Sequence, residues 1–469
     1  MADDDLRYKS IRDLGALYRS GQLSPVEVTR AHLDAIESQN DRSHDYITVT
    51  AERALADAEC AEKAFNSGRD PGRLLGIPIA LKDLVDTKGI ATTAGTTLWK
   101  DRRPQADATV ARRLASAGSV LLGKTNLVEF AFGPYGLNPH YGTPPNPWAN
   151  DRVPGGSSSG SGGSVGRGCA VAAIGTDTGG SIRLPAAFSG VVGLKPTVQR
   201  VSRSGVVPLS WTLDSIGPLT RSVEDAALVY DAIAGYDEAD VATHRAPAFA
   251  PVSDRLIESA NGFRVGVARN PFFDGADAEV VDLVQAAADA ISDLGVRVED
   301  IDLPEAREEL DLEIDGKGSV AIMCVEGFTC HEKTLSECGN QVDPRIRERI
   351  ESGRSISAVA YAGALRNQMT LQRSVVARMA DYDAILAPTT LYTAPKIGDV
   401  SKAPARLTTR LINYLGLCAV SVPCGFTAEG LPVGLQLIGK PFDEVSILKL
   451  ANAYERSTSW HECIPPLGK

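Results

Sequence analysis

Apolar positions along this chain fall into two spacings, one helical and one of short continuous runs. Residues 1–70 read as an N-terminal helical segment packing on the core: Ser24-Pro25-Val26-Glu27 is a capping box with proline at the first helical position, and Val26, Val28, Leu33 and Ile36 follow at helical intervals. The run Leu74-Leu75-Gly76-Ile77-Pro78-Ile79-Ala80-Leu81 is short enough for a buried strand, and it ends at Lys82, a lysine where burial is expected. Asp107 to Ala117 predicts a capped helix closed by Gly118, with Val120-Leu121-Leu122 as the strand after it. Farther on, Phe263, Val265 and Val267 alternate as a strand does. Val280, Val284, Ala287, Ile291 and Leu294 then form one helical stripe ending at Gly295, and Val296, Val298 and Ile301 complete a β-α-β unit. Ala384 to Ala387 and Ala419 to Val422 read as strands, each stopped by proline. Helices alternating with short apolar strands predict α/β layers. Residues 238–262 are the expected surface excursion.

One stretch follows neither spacing. Between Gly155 and Gly168, 12 of 14 residues are Gly or Ser, the composition of a flexible linker. Both flanks look structured, since Ala170 to Ile174 and Ala186 to Leu194 are apolar segments, so an ordered loop inside a domain is expected.

Composition removes several function classes. The 48 Lys and Arg stand against 59 Asp and Glu, a net charge of -11 with no dense basic run, which argues against a nucleic-acid partner. The start, MADDDLRYKS, lacks a signal-peptide pattern, and no stretch approaches the ~20 apolar residues of a membrane span, so neither a membrane partner nor export is expected and the cytoplasm is the expected location. The eight Cys are scattered without a CxxC pair and read as buried free thiols, and the six His show no HExxH, so no metal site and no cofactor is expected.

Gly118-Ser119-Val120-Leu121-Leu122-Gly123-Lys124-Thr125 satisfies the P-loop pattern formally. Three of its four intervening residues are apolar, however, and read as the strand itself rather than an anion-cradling turn. A stronger constellation is GGSSSGSGG (155–163), then GTDTGGSIRLP (175–185), with Lys82 upstream in GIPIALKDLVDTKGI. An oxyanion hole needs several backbone N–H groups converging on one point, and Gly179 and Gly180 permit the required backbone and the close approach of a substrate. Ser181 would present its hydroxyl beside those donors. A serine hydroxyl needs a base, and no His lies near these segments in sequence. A lysine can substitute if burial lowers its pKa from ~10.4 toward ~7–8.

The segments GIPIALKD, GGSSSGSGG and GTDTGGSIRLPAAFSGVVGLKPT resemble the amidase signature family, as do Gly123-Lys124-Thr125-Asn126 with Glu129-Phe130, LDSIGPLTRSVEDAA (213–227) and GLPVGLQLIG (430–439). Together these motifs are specific and span most of the chain. The resemblance implies a single large α/β domain with a mixed central sheet flanked by helices over residues 71–469, with a variable helical insert region at about 238–370. It also implies that Lys82 is the catalytic lysine, Ser157 the bridging serine with its own peptide bond cis, and Ser181 the acyl-forming nucleophile. Nothing in the residues alone selects Ser157 over Ser158 or Ser159. Thr178, Gly179, Gly180 and Ser181 match the oxyanion-hole backbone, with Ser158, Asp177 and Arg183 in support, the last two bracing loops rather than touching substrate.

Members of this family cleave amides, ureas and carbamates, and one branch is the glutaminase component of a tRNA-dependent amidotransferase. In that branch the GKTN segment typically leads through EFAMG into a Ser/Thr-rich stretch. Here Glu129-Phe130-Ala131-Phe132-Gly133 leads into PYGLNPHYGTPPNPW. The expectation is therefore a stand-alone serine hydrolase for a small amide or carbamate, with a homodimer as the one protein association that analogy supplies. Substrate choice is expected to lie around Phe132 to Tyr141 and in the 310–370 segment. An apolar aromatic cleft there would favour an aryl amide, ester or urethane, and a carboxylate-binding Arg a small acidic amide.

Overall fold

The computed structural model describes residues 6–70, 72–307, 317–402 and 408–466. Ser10 caps helix α1 (Ile11–Arg19), and the capping box at Ser24 and Glu27 forms as expected and opens α2 (Pro25–Ser43). Tyr46–Val49 within the helical N-terminal stretch is a strand, β1, before α3 (Ala51–Asn66).

Ten further strands complete one sheet: β2 (Pro78–Lys82), β3 (Val120–Thr125), β4 (Ala172–Asp177), β5 (Val192–Lys195), β6 (Ser215–Thr220), β7 (Arg264–Val267), β8 (Arg297–Asp300), β9 (Ala384–Pro388), β10 (Cys418–Phe426) and β11 (Pro432–Gly439). Their order is β1-β3-β2-β4-β6-β5-β10-β11-β9-β7-β8. The sheet is mixed. β2 runs parallel to both β3 and β4, and β7 parallel to β8 and β9, while β4, β6, β5, β10, β11 and β9 pair antiparallel in succession. Central strands such as β2, β4 and β11 are buried at every position, which is why they appear as continuous apolar runs rather than alternating ones. The edge strands β1 and β8 are partly exposed. The expected β-α-β unit is present as β7, a helix over Ala278–Asp293 and β8, and β7 and β8 extend the common sheet from inside the 238–370 region. Residues 238–262 carry only short 3-10 turns between irregular segments.

Four local readings need correction. Asp107 does not cap the helix that follows, α4 (Thr109–Ser116); its carboxylate accepts the Lys88 N–H at 2.7 Å, and Ala108 holds the cap position with no side-chain bond. Pro423 does not stop β10. Beyond Ser421 that strand pairs only with β11 among the described residues, so the missing proline N–H faces no neighbour, and a register shift between Pro423 and Gly425 absorbs the irregularity. The Gly/Ser stretch contains a helix, α5 (Ser159–Gly166), where a loop was expected. Its composition has poor helix propensity, but every residue is buried. A Cβ at Gly160 would collide with the Asp45 carbonyl, so glycine is what allows this helix to lie against the neighbouring backbone. Finally, the free thiols are not uniformly buried: Cys60 is exposed.

The P-loop pattern is a strand, as its apolar residues require. Lys124 ends fully buried in β3, 3.0 Å from both Asp83 Oδ1 and Thr92 Oγ1. Among the described residues no helix is long and apolar enough to cross a membrane.

Candidate active site

β2 enters the middle of the sheet between β3 and β4 and delivers its last residue, Lys82, to a position with 0% exposure. The Lys82 amine donates to Ser157 Oγ at 2.8 Å and to Thr176 Oγ1 at 2.8 Å. Burial brings its pKa down to about 7, against the pull of the Asp214 and Asp177 carboxylates, which favour the charged form. A large fraction of this amine is therefore neutral near pH 7, and a neutral amine also accepts a proton.

Ser157 follows a cis peptide bond from Gly156. Its carbonyl accepts the Val128 N–H at 3.1 Å. Next to it, Ser158 ties two segments together: its hydroxyl donates to the Thr176 carbonyl at 3.2 Å and accepts the Thr176 N–H at 3.3 Å, while its own N–H donates to the Ser181 carbonyl at 3.3 Å. α5 then buries the rest of the Gly/Ser stretch, with Ser161 Oγ 2.7 Å from Thr125 Oγ1.

The turn 178–181 joins β4 to helix α6 (Arg183–Ser189). The Asp177 carboxylate accepts the Gly180 N–H at 2.7 Å and the Ile182 N–H at 3.1 Å, and Arg183 Nη2 lies 3.1 Å from it. Arg183 also donates to Gln436 Oε1, Asn413 Oδ1 and the Thr409 carbonyl. Burial alone would raise Asp177, yet the Arg183 charge and hydrogen bonds prevail and hold it at about 2. Both side chains are 0% exposed and committed to the scaffold. Gly180 sits at φ +124°, where a Cβ would strike the Thr409 side chain, so glycine is required there.

Gly180, expected as a fourth oxyanion donor, gives its N–H to Asp177 instead. The Gly179 and Ser181 N–H groups have no acceptor among the described residues, and Thr178 is fixed through its hydroxyl, which donates to Asp214 Oδ1 at 2.6 Å. Ser181 is 9% exposed, and its Oγ makes no hydrogen bond among the described residues, to Ser157 included. Contacts of a nucleophile with its base commonly tighten only in the substrate complex. None of the six His is hydrogen-bonded to Lys82, Ser157 or Ser181 among the described residues, which leaves the lysine as the base at hand.

Two cavities adjoin this cluster. A cleft of about 560 Å³ is lined by Val128, Gly133, Tyr135, Leu137, Ile346 and Arg349 among others, and a second of about 240 Å³ includes Thr176, Thr178 and Asp214. Thr176 and Asp214 were not singled out from sequence. Thr176 lies one residue before Asp177 in the Gly-rich motif, and Asp214 lies within the LDSIGP motif, so both were within segments already quoted. What was invisible was the pairing of β2 with β4 that sets Thr176 beside Lys82.

Residues 27–448 match the protein-family model described as Amidase. The chain is 39% identical over 489 aligned residues to a glutamyl-tRNA(Gln) amidotransferase subunit of Moorella thermoacetica, covering 99% of each. Among solved structures, the peptide amidase of Stenotrophomonas maltophilia superposes with a TM-score of 0.86 at 31% identity, covering 96% of this chain and 97% of that one. The corresponding glutamyl-tRNA(Gln) amidotransferase subunit of Thermotoga maritima gives a TM-score of 0.79 at 31% identity, covering 96% and 95%.

Proposed function

The chain belongs to the amidase signature family of hydrolases acting on carbon–nitrogen bonds, and from that premise we propose that it is a stand-alone amidase working through an acyl-enzyme on Ser181. The observation that carries this reading is the buried Lys82 amine, with its pKa near 7, 2.8 Å from Ser157 Oγ. Neutral Lys82 takes the Ser157 proton as Ser157 takes that of Ser181, whose Oγ bonds to the substrate carbonyl carbon. The negative charge that develops on the carbonyl oxygen is met by the unengaged N–H groups of Gly179 and Ser181. As the C–N bond breaks, the proton returns through Ser157 to the leaving nitrogen. Water then attacks the acyl-enzyme, giving its proton to the same relay, and the acid departs with Ser181 and neutral Lys82 restored.

A second reading, the glutaminase component of a tRNA-dependent amidotransferase, is favoured by the names of its curated relatives. Two observations favour the stand-alone reading. The superposition is better on the peptide amidase than on the Thermotoga protein. The Gly133-to-Leu137 segment, where the sequence departs from the usual pattern of the amidotransferase branch, lines the 560 Å³ cleft. A hydrolysis panel of anilides, aliphatic amides, carbamates and glutamine tests the choice. The purified chain alone is expected to hydrolyse at least one amide or carbamate other than glutamine. Ammonia released from glutamine alone, and only with a partner protein added, would overturn the stand-alone reading.

A further inference from the structure

The 560 Å³ cleft has an apolar wall and a cationic end. Val128, Leu137, Ile346 and Val400 supply hydrophobic surface, and Arg345 and Arg349 project from the helix over Pro344–Ser352. The two cations differ in their commitments. Arg345 is tied to Asp343, with Nη2 at 2.5 Å from Oδ2. Arg349 donates to the Phe132 carbonyl at 3.2 Å and stacks 5.6 Å over the Phe132 ring, and no carboxylate among the described residues forms an ion pair with it. Glu348 is the carboxylate on the cleft lining, but as the adjacent helix residue it points about 100° away round the axis from Arg349.

A second arginine reinforces this charge. Arg410, on the helix over Thr408–Tyr414, is 8% exposed and packs its stem against Gly179, where a Cβ would lie 3.3 Å from its Cγ. Arg349 is lowered from its ordinary value by burial first and by the Arg410 charge second, so the two guanidinium groups feel one another. The inner wall of the cleft leads directly to the reacting groups. Val128 donates its N–H to the Ser157 carbonyl, and the Gly133 carbonyl lies against Gly156. A molecule filling the cleft thus reaches from Arg349 to the catalytic serines. Placing like charges together in a partly desolvated cleft is unfavourable until an anion enters between them.

We propose that Arg349, with Arg410 behind it, binds a carboxylate on the substrate, so that the preferred amides carry a carboxylate in addition to the scissile bond. This inference rests on the amidase reading of the same site. A planar guanidinium suits a carboxylate because it offers two parallel N–H donors, which makes Arg349→Lys a partial substitute and Arg349→Met none.

The test uses two matched pairs of chromogenic or fluorescent amides. One pair places the carboxylate on the acyl side, the 4-nitroanilides of succinic and butyric acids. The other places it on the amine side, N-acetyl-4-aminobenzoate and acetanilide. In wild-type protein one of the two pairs is expected to show a preference of roughly 10- to 100-fold in kcat/KM for its anionic member, carried mainly by KM. Arg349→Met should bring that ratio to near one, and Arg349→Lys should restore part of it. Equal rates within both pairs, or a preference that survives Arg349→Met, would overturn the proposal. Fluorophosphonate labelling of Ser181 reports separately on the hydrolase reading. If wild-type protein is neither labelled nor active on any amide, that reading fails, and the anion site is judged by binding alone. Succinate at millimolar concentration should then raise the thermal midpoint of the wild type and not of Arg349→Met, and no shift in the wild type would contradict the site.

Discussion

Replacing Ser181 with alanine is expected to lower kcat/KM for any hydrolysed amide by on the order of 10⁴-fold or more and to abolish covalent labelling by a fluorophosphonate. The protein should remain folded, because the Ser181 hydroxyl makes no hydrogen bond among the described residues and the substitution removes one partly exposed oxygen. Unchanged thermal midpoint with lost labelling separates chemistry from folding. Retained labelling at another serine would move the nucleophile elsewhere.

Lys82→Met carries the second large effect. Methionine fills similar space but offers no proton acceptor, so the relay from Ser181 through Ser157 has nowhere to end, and a loss on the order of 10⁴-fold is expected. Lys82→Arg should do no better. A guanidinium stays charged at any accessible pH and cannot act as the base, however well it occupies the site. Recovery of activity in the arginine variant, measured on the same substrate at pH 8, would show that a positive charge rather than a proton acceptor is what position 82 supplies.

Much of this site was legible from residue order because it is built from short, chemically demanding segments. An apolar run that ends in lysine has few uses other than burial, and the structure places that lysine at 0% exposure. The glycines at 179 and 180 announce a turn that other residues cannot make, and Gly180 proves to need a positive φ. Resemblance was required where chemistry is degenerate: Ser157, Ser158 and Ser159 are equivalent in composition, and only the pairing of strands decides which of them meets Lys82.

What escaped sequence reading depends on long-range contacts. Propensity argues against a helix over Ser159–Gly166, and it forms because burial between β3, β4 and the Asp45 region outweighs propensity. Pro423 fits within β10 because that part of the strand pairs on one side only, a fact of sheet order rather than of local sequence. Gly180 looked like an oxyanion donor until the Asp177 carboxylate was seen to hold its N–H. Arg349 lay in a long helical region with no motif around it, and its meaning comes only from the cleft it enters.

The most direct measurement is the rate at which a fluorophosphonate labels Ser181 as pH is raised from 5 to 9. Only the neutral amine can accept the proton, so the rate should climb with a slope of one and level off, with its midpoint at about 7. A rate that is flat across this range, or one still climbing toward the ~10.4 of an ordinary exposed lysine, would contradict a buried Lys82 as the base.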